Sequence, residues 1–306
     1  MASCTVIIPV LNGMPYLCEA LASLENQTFK DFEVILWDNG STDATVEEAH
    51  KWIPSRLPGQ VVSDSPLPLH ECLAKMVTQA KSEFVARMDA DDICLPERLA
   101  LQIEQLGQDE RLAAIGGQME LIDASGLTIG PAEWSPIDYS EILFSFLFGN
   151  PMAHPTVTFR RQAILDVGNY AMAKPVEDYD LWMRVAARFR LANMAETLLK
   201  YRRHSGAVCG SGQMPNTEIY EAMSVAVQAN CMALFELDAE TYVALRAKRH
   251  PVAIWALLPV YFRCSRKAGV PVVNLLKSSS AVNAARCLTG KHDYVSKLIW
   301  RFLEWI

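Results

Sequence analysis

Three carboxylates, Asp89, Asp91 and Asp92, follow directly on the stretch Phe84-Val85-Ala86-Arg87-Met88. That stretch reads as a short buried strand, and its apolar pattern stops abruptly at the acids. Side chains of an extended segment alternate faces, so Asp89 and Asp91 can point the same way, with small Ala90 between them. Two hard oxygen ligands at the end of a buried strand suit a divalent cation that carries a diphosphate. A polar loop capping the next helix would account for the same three acids. A second cluster, Asp38-Asn39-Gly40-Ser41-Thr42-Asp43, ends the apolar run Phe32–Trp37. A third, Glu177-Asp178-Tyr179-Asp180, opens a segment with Leu181, Val185 and Phe189 at helical spacing. Pro175 suits the start of that helix, and acids in a first turn complement its dipole whatever else they do.

The elements that must carry these clusters alternate. Thr5–Val10 is a β-branched run closed by the turn signal Asn12-Gly13, and Pro15 then precedes Leu17, Ala20, Leu21 and Leu24 at helical spacing. Phe32–Trp37 is a second strand, about Ala44–Trp52 a helix, Val61-Val62 a third strand, Leu69–Lys81 a helix and Phe84–Met88 a fourth strand. Strand alternating with helix predicts a mostly parallel sheet with right-handed crossovers, and ligands of such sheets sit beyond the carboxyl ends of the strands. Both Asp38–Asp43 and Asp89–Asp92 fall at that edge. No glycine-rich dinucleotide or P-loop fingerprint follows the first strand, so a bound phosphate needs another partner, and a cation on Asp89 and Asp91 supplies one.

Val6-Ile7-Ile8-Pro9-Val10-Leu11-Asn12, Gln27-Thr28-Phe29, Glu33 through Asp43, and Arg87–Asp92 with Leu95-Pro96-Glu97-Arg98-Leu99 together resemble the family 2 glycosyltransferases. The resemblance runs in order over roughly residues 3–210. It implies an α/β protein of the GT-A fold, an inverting mechanism and a nucleotide-sugar donor. Asp89-Ala90-Asp91 would be the D-x-D that holds Mn2+ or Mg2+ with the donor's ribose and diphosphate. Pro9, Val10, Asn12 and Asp38 would surround the nucleoside. Where the family often carries a second acid, this chain has Asn39, whose amide can both donate and accept, so the base stays open. Ala74 likewise stands where many relatives have Asn.

Farther along, Asn150-Pro151-Met152-Ala153-His154-Pro155-Thr156 resembles the family's N-P-x-x-H-P-T element. It makes His154 a phosphate or acceptor contact, or a structural histidine holding loop backbone. The family's E-D pair stands at Glu177-Asp178, which the resemblance makes the site of the base. An inverting transfer needs one carboxylate to take the proton of the acceptor hydroxyl. Asp178 is assigned that role, Glu177 is second choice, and Trp182 on the same helix is placed on the acceptor side. Tyr201-Arg202-Arg203-His204 resembles the family's Y-R-x-H: Arg202 or Arg203 is expected to clamp the leaving diphosphate, and His204 to contact phosphate or metal. Between these motifs, Pro96 and Glu97 open a helix, and Ala113–Met119 and Leu121-Ile122 read as strand. Gly130–Ser140 reads as a polar loop. Ile142–Phe148 reads as core or as a wall of the acceptor site, and Gly210–Gln213 as a mobile loop.

The net charge of −7 hides an asymmetry: from Arg246 to Ile306 there are eleven Lys/Arg against two acids. Amphipathic stretches begin near Asn216, with Ile219, Met223, Val227 and Met232. Val252–Phe262 is apolar but too short to span a membrane and is interrupted by Pro259. Tyr294–Ile306 mixes Trp300, Phe302 and Trp305 with Lys297 and Arg301. Such helices fit an anionic membrane surface, a lid over the donor, or a homodimer interface. Nucleic acid is not expected, since the charge lies among bulky apolar residues without a binding module. Eight cysteines without a C-x-x-C pair argue against zinc and for reduced thiols. The first residues lack the basic start of a secretory signal, so a cytoplasmic setting is expected, peripheral on the inner face of the membrane.

These readings give a glycosyltransferase domain over 1–213, with a donor half to about 120 and an acceptor half from about 121, followed by a helical basic region over 214–306. The expected partners are a nucleotide-sugar and a glycan or lipid-linked acceptor of cell-surface type. Two alternatives remain: a sugar-phosphate nucleotidyltransferase, disfavoured by the missing glycine-rich loop, and a non-catalytic nucleotide-sugar-binding scaffold.

Overall fold

The computed structural model describes residues 2–132, 135–146, 149–172, 177–206, 232–236, 260 and 262–269. The chain divides into two compact units, Met1–Ser135 with Met152–Thr217, and Pro136–Pro151 with Glu218–Ile306.

In the first unit β1 (Cys4–Val10), α1 (Leu17–Glu25), β2 (Phe32–Asp38), α2 (Thr45–Trp52), β3 (Gly59–Ser63), α3 (Leu69–Gln79) and β4 (Phe84–Arg87) alternate as the sequence predicts. There follow β5 (Ile93–Cys94), α4 (Arg98–Gln108), β6 (Leu112–Ile122) and β7 (Thr128–Pro131). After α5 (Tyr139–Ser145), which belongs to the second unit, the first unit resumes with a 3-10 turn (His154–Thr156), β8 (Thr158–Arg160), α6 (Arg161–Asp166), α7 (Glu177–Arg188) and β9 (Arg190–Arg202). One sheet runs β3-β2-β1-β4-β8-β6-β9-β5, with β7 attached to β6. Strands β3, β2, β1 and β4 are parallel, β8 is antiparallel to both its neighbours, and β6 and β9 are parallel.

Central parallel strands are buried on both faces, which is why β1 and β2 read as continuous apolar runs. Val6, Ile8, Val34 and Leu36 pack with Leu17, Leu21 and Leu24 of α1, while Ile7, Ile35 and Trp37 are buried as well. Pro9 is tolerated in this central strand for a local reason. Pairing of β1 with β4 stops at Ile7, whereas pairing with β2 continues to Val10. Ile7 accepts the N–H of Met88 and Val10 accepts that of Asn39, so the position without an N–H faces the side that β4 has already left.

Several motif residues prove to be architecture. Gln27 accepts the N–H of Leu99 (3.1 Å) and donates to the carbonyl of Leu95 (2.7 Å), and the Thr28 N–H donates to the Pro96 carbonyl. Arg98, buried, donates to the carbonyl of Arg87 at 2.7 Å and so holds the last residue of β4. Gln102 joins three elements, donating to Ile115 and Thr156 carbonyls and accepting from the Thr158 hydroxyl. The loop that carries Asp89–Asp92 therefore leaves a strand end fixed by buried polar contacts.

The structure adds to the sequence reading in three places. Strand β9 is the longest of the sheet, although the sequence marks only its last residues with a motif; its burial alternates poorly, with Ala195, Glu196 and Thr197 all exposed near its middle. Gly130, expected to open a loop, lies instead in β7, paired to β6. Ile142–Ser145 belongs to helix α5 of the second unit, where Ile142, Leu143, Phe144 and then Phe146 are buried, as core residues would be. The cysteines among the described residues, Cys4, Cys18, Cys72, Cys94 and Cys264, are free.

Pro175, Gly210–Gln213, the amphipathic stretch from Asn216 apart from residues 232–236, Val252–Phe262 apart from Val260 and Phe262, and Tyr294–Ile306 lie outside the described residues. The membrane, lid and dimer expectations rest on them. Among the described residues no helix is long and apolar enough to cross a membrane.

Candidate active site

The carboxyl ends of β1, β2 and β4 meet at one edge of the sheet, and the first two clusters gather there. Asn12 has φ +54°, a left-handed conformation that Asn tolerates. Its side chain accepts from the N–H of Thr42 (2.8 Å) while its own N–H donates to the Ser41 hydroxyl (2.8 Å). Asp38 is 4 % exposed and accepts from the backbone N–H groups of Gly40 and Ser41, which shapes the turn after β2. Gly40 takes φ +93° in that turn, and a Cβ there would meet Pro66 at 2.8 Å. Asn39 is engaged by the chain itself: its Nδ2 donates to the carbonyl of Leu67 (2.9 Å) and its Oδ1 accepts the N–H of Leu67 (2.8 Å). Its amide thus holds the loop between β3 and α3 against the end of β2.

The acids that follow β4 converge. Asp89, Asp91 and Asp92 each offer an oxygen within 4.8 Å of the others. Arg87 pairs with Asp89 (2.5 Å), and His204 Nε2 lies 2.9 Å from Asp91 Oδ2. Asp92 is wholly buried: its Oδ1 accepts the N–H of Arg202 (2.9 Å) and its Oδ2 has no hydrogen-bond partner. Burial, then the charges of Asp89 and Asp91, push its carboxyl well above the usual range. Three clustered carboxylates and an orphaned buried oxygen are a donor set that fits a hard divalent cation. His204, whose ring also meets that of Tyr16 at a 48° tilt with centroids 4.7 Å apart, stands beside that set.

Arg202 corrects an expectation. Its guanidinium is 1 % exposed, and its donors go to the Asp91 carbonyl (2.8 Å), the Asp123 and Ala124 carbonyls, and Glu19. It ties the loop of Asp89–Asp92, the β6–β7 turn and α1 together, so the chain itself engages its guanidinium in place of a diphosphate. Arg203 next to it is exposed. Trp182, expected on the acceptor side, is fully buried, edge-on to His154 and against Phe159, so it borders the site through the His154 ring.

The third cluster lies at the start of α7. Asp180 is 2 % exposed and pairs with Arg184 (2.6 Å), which also donates to Val167 and Asn169 carbonyls; that acid is structural. Glu177 is buried. Asp178 keeps some access, its side chain 18 % exposed, with Oδ2 3.9 Å from His154 Nδ1 and Oδ1 accepting the Tyr179 N–H (2.8 Å). Burial, reinforced by the charge of Glu177, raises its carboxyl from 3.8 to about 7, against the opposing pull of the Tyr179 N–H and Arg87. A carboxylate poised there is matched to proton abstraction near neutral pH.

The same shift bears on stability. A folded-state pKa above the unfolded one means that the group's favourable contribution, complete below about pH 4, is lost as pH rises through about 7. Asp178→Asn, neutral throughout, is therefore expected to raise Tm relative to wild type at about pH 8 by up to a few kcal/mol equivalent, and by much less near pH 5. Thermal unfolding at both pH values measures this; an equal difference at both would contradict the assigned environment.

Arg87 joins the two halves of the site. It is 5 % exposed, pairs with Asp89, and its charge acts on Tyr170 and Asp178. No role was assigned to it or to Tyr170 from sequence. A lone charge in a buried strand just before the acids is a usable signal for Arg87; Gly168-Asn169-Tyr170 offers only a turn.

Residues 5–168 match the family described as Glycosyl transferase family 2. The O-antigen biosynthesis glycosyltransferase WbnJ of Escherichia coli is 31 % identical over 207 residues, covering 66 % of this chain and 80 % of its own. The amylovoran biosynthesis glycosyltransferase AmsE of Erwinia amylovora is 30 % identical over 193 residues, covering 62 % of this chain and 71 % of its own. Among solved structures, S. aureus TarS 1-349 in complex with UDP-GlcNAc is similar in fold at TM-score 0.61 and 18 % identity, over 99 % of this chain and 91 % of that one. The mannosyltransferase PcManGT from Pyrobaculum calidifontis in complex with GDP-Man and Mn2+ aligns at TM-score 0.52 and 17 % identity, over 99 % and 83 %. The sheet and its flanking helices are thus of the GT-A-like kind that the resemblance implies. With its family match spanning just over half its length, this chain belongs to glycosyl transferase family 2 and is a glycosyltransferase.

Proposed function

We propose that the protein transfers a sugar from a nucleotide-sugar to an acceptor hydroxyl with inversion, Asp178 serving as general base and Asp89, Asp91 and Asp92 forming the donor's cation site. The observation that carries this reading is the pairing of two differently tuned acidic groups, an acid cluster at the carboxyl edge of β4 and a separate partly accessible carboxylate at about 7, linked through Arg87. Mn2+ or Mg2+ held by the three aspartates would neutralise the donor's diphosphate and the charge that grows on it in leaving. Asn12 and the turn after β2 flank the nucleoside, and His204 stands beside the cation site through Asp91.

As the acceptor oxygen bonds to the anomeric carbon, the bond from that carbon to the diphosphate breaks and the hydroxyl proton passes to Asp178. The N–H of Tyr179 steadies the carboxylate from the helix start, and positioning contributes much of the effect. Relatives named for O-antigen and amylovoran synthesis support a surface-polysaccharide or lipid-linked acceptor. The basic, aromatic C-terminal sequence supports work at the inner membrane face.

A thermal-shift panel of UDP-, dTDP- and GDP-sugars with Mn2+ or Mg2+ tests the donor half. At least one is expected to raise Tm with concentration, by the equivalent of about 2.7 kcal/mol at one hundred times Kd. No response to any of them would favour a scaffold without donor chemistry.

A further inference from the structure

His154 and Tyr170 form a buried pair that donor binding leaves unexplained. His154 is 8 % exposed and Tyr170 4 %. The imidazole Nε2 lies 2.8 Å from the Tyr170 hydroxyl, and Nδ1 lies 3.9 Å from Asp178 Oδ2. Trp182 meets the ring edge-on, with centroids 6.1 Å apart at 77°, and fixes its plane. The titratable and charged groups around Asp178 include Glu177 on its own helix, Arg87 at the end of β4, His154 and Tyr170; those around His154 include Asp178 and the Tyr170 phenol.

The tautomer follows from what each partner can do. Burial pushes the Tyr170 phenol far above its ordinary range, so it stays protonated and can donate. In a neutral imidazole, accepting at Nε2 leaves the hydrogen on Nδ1, on the side of Asp178. The opposite tautomer would set the Nδ1 lone pair against a carboxylate oxygen. At 3.9 Å the contact is longer than a hydrogen bond, as catalytic contacts often are before the acceptor binds.

We propose that Tyr170 and His154 are positioning residues for the base: the phenol O–H donates to Nε2, and the Nδ1–H so fixed holds Asp178 ionised and aimed at the acceptor. The inference rests on Asp178 being the base. His154 transfers no proton in this scheme, since the acceptor proton ends on Asp178 and the Nδ1 hydrogen stays where it is.

The test is the pH profile of kcat for nucleoside diphosphate release, using whichever sugar nucleotide of the panel raises Tm. His154→Ala is expected to move the acidic limb upward by about one pH unit, an approximately tenfold loss of rate on that limb, with donor KM unchanged. His154→Asn, whose amide can replace Nδ1–H, is expected to return the limb toward wild type. Tyr170→Phe is expected to move it the same way as His154→Ala, by less. A limb that stays in place in His154→Ala, even with reduced kcat, overturns the relay, as does His154→Asn behaving like His154→Ala. Wild-type turnover in an Asp178→Asn control would instead overturn the base assignment on which the relay depends.

Discussion

Asp178→Asn is expected to lower turnover by about 10²–10⁴-fold while leaving donor affinity near that of wild type. The amide keeps the shape of the carboxylate and can still accept the Tyr179 N–H, so the start of α7 has no reason to shift. What it loses is the lone pair that takes a proton. The wild-type profile of kcat/KM should rise with pH through about 7, because burial and Glu177 set the carboxyl there and only its ionised form is the base. The variant's residual activity should lack that limb. Equal loss in Glu177→Gln, with Asp178→Asn near wild type, would transfer the role to the neighbouring acid.

Asp91→Asn should have the larger effect on binding. Asp91 meets His204 through Oδ2 and belongs to the cluster whose oxygens converge within 4.8 Å. Removing one carboxylate from three weakens the cation site, and the cation-dependent rise in Tm on adding a nucleotide-sugar should vanish at concentrations that saturate wild type. The unliganded variant should be no less stable, since the repulsion that burdens Asp92 is relieved. That combination separates a lost site from a damaged fold. A full donor shift in Asp91→Asn would remove the acid cluster from the donor site.

Much of the donor half was legible because its signals are local. Apolar runs that end in acids mark β2 and β4, and a continuous apolar run closed by Asn12-Gly13 marks β1; the alternation with helices then places all three ends at one sheet edge. The first turn of α7 was legible for the same reason, acids followed by an apolar face. Partners distant in sequence were not. Nothing near Asn39 announces that its amide faces the backbone of Leu67. Arg202 was expected at a diphosphate because Tyr201-Arg202-Arg203-His204 resembles the family's Y-R-x-H. Its burial comes instead from the fold bringing Glu19, Asp91 and Asp123 around the end of β9. Trp182 was placed by its neighbours in sequence, whereas its helix turns it inward onto His154 and Phe159. Strand β9 escaped notice because its half-exposed middle breaks the two-residue period by which strands are recognised.

The central claim is a single displacement at the anomeric carbon, driven by one base on a cation-held donor. Proton NMR of the sugar released when the enzyme turns over UDP-glucose, UDP-N-acetylglucosamine or GDP-mannose with Mn2+ and water as acceptor tests it most directly. The account predicts that the first sugar formed has the anomeric configuration opposite to the donor's, and that Asp178→Asn slows its formation by about 10²–10⁴-fold. A first product with retained configuration, or equal release by Asp178→Asn, would contradict it.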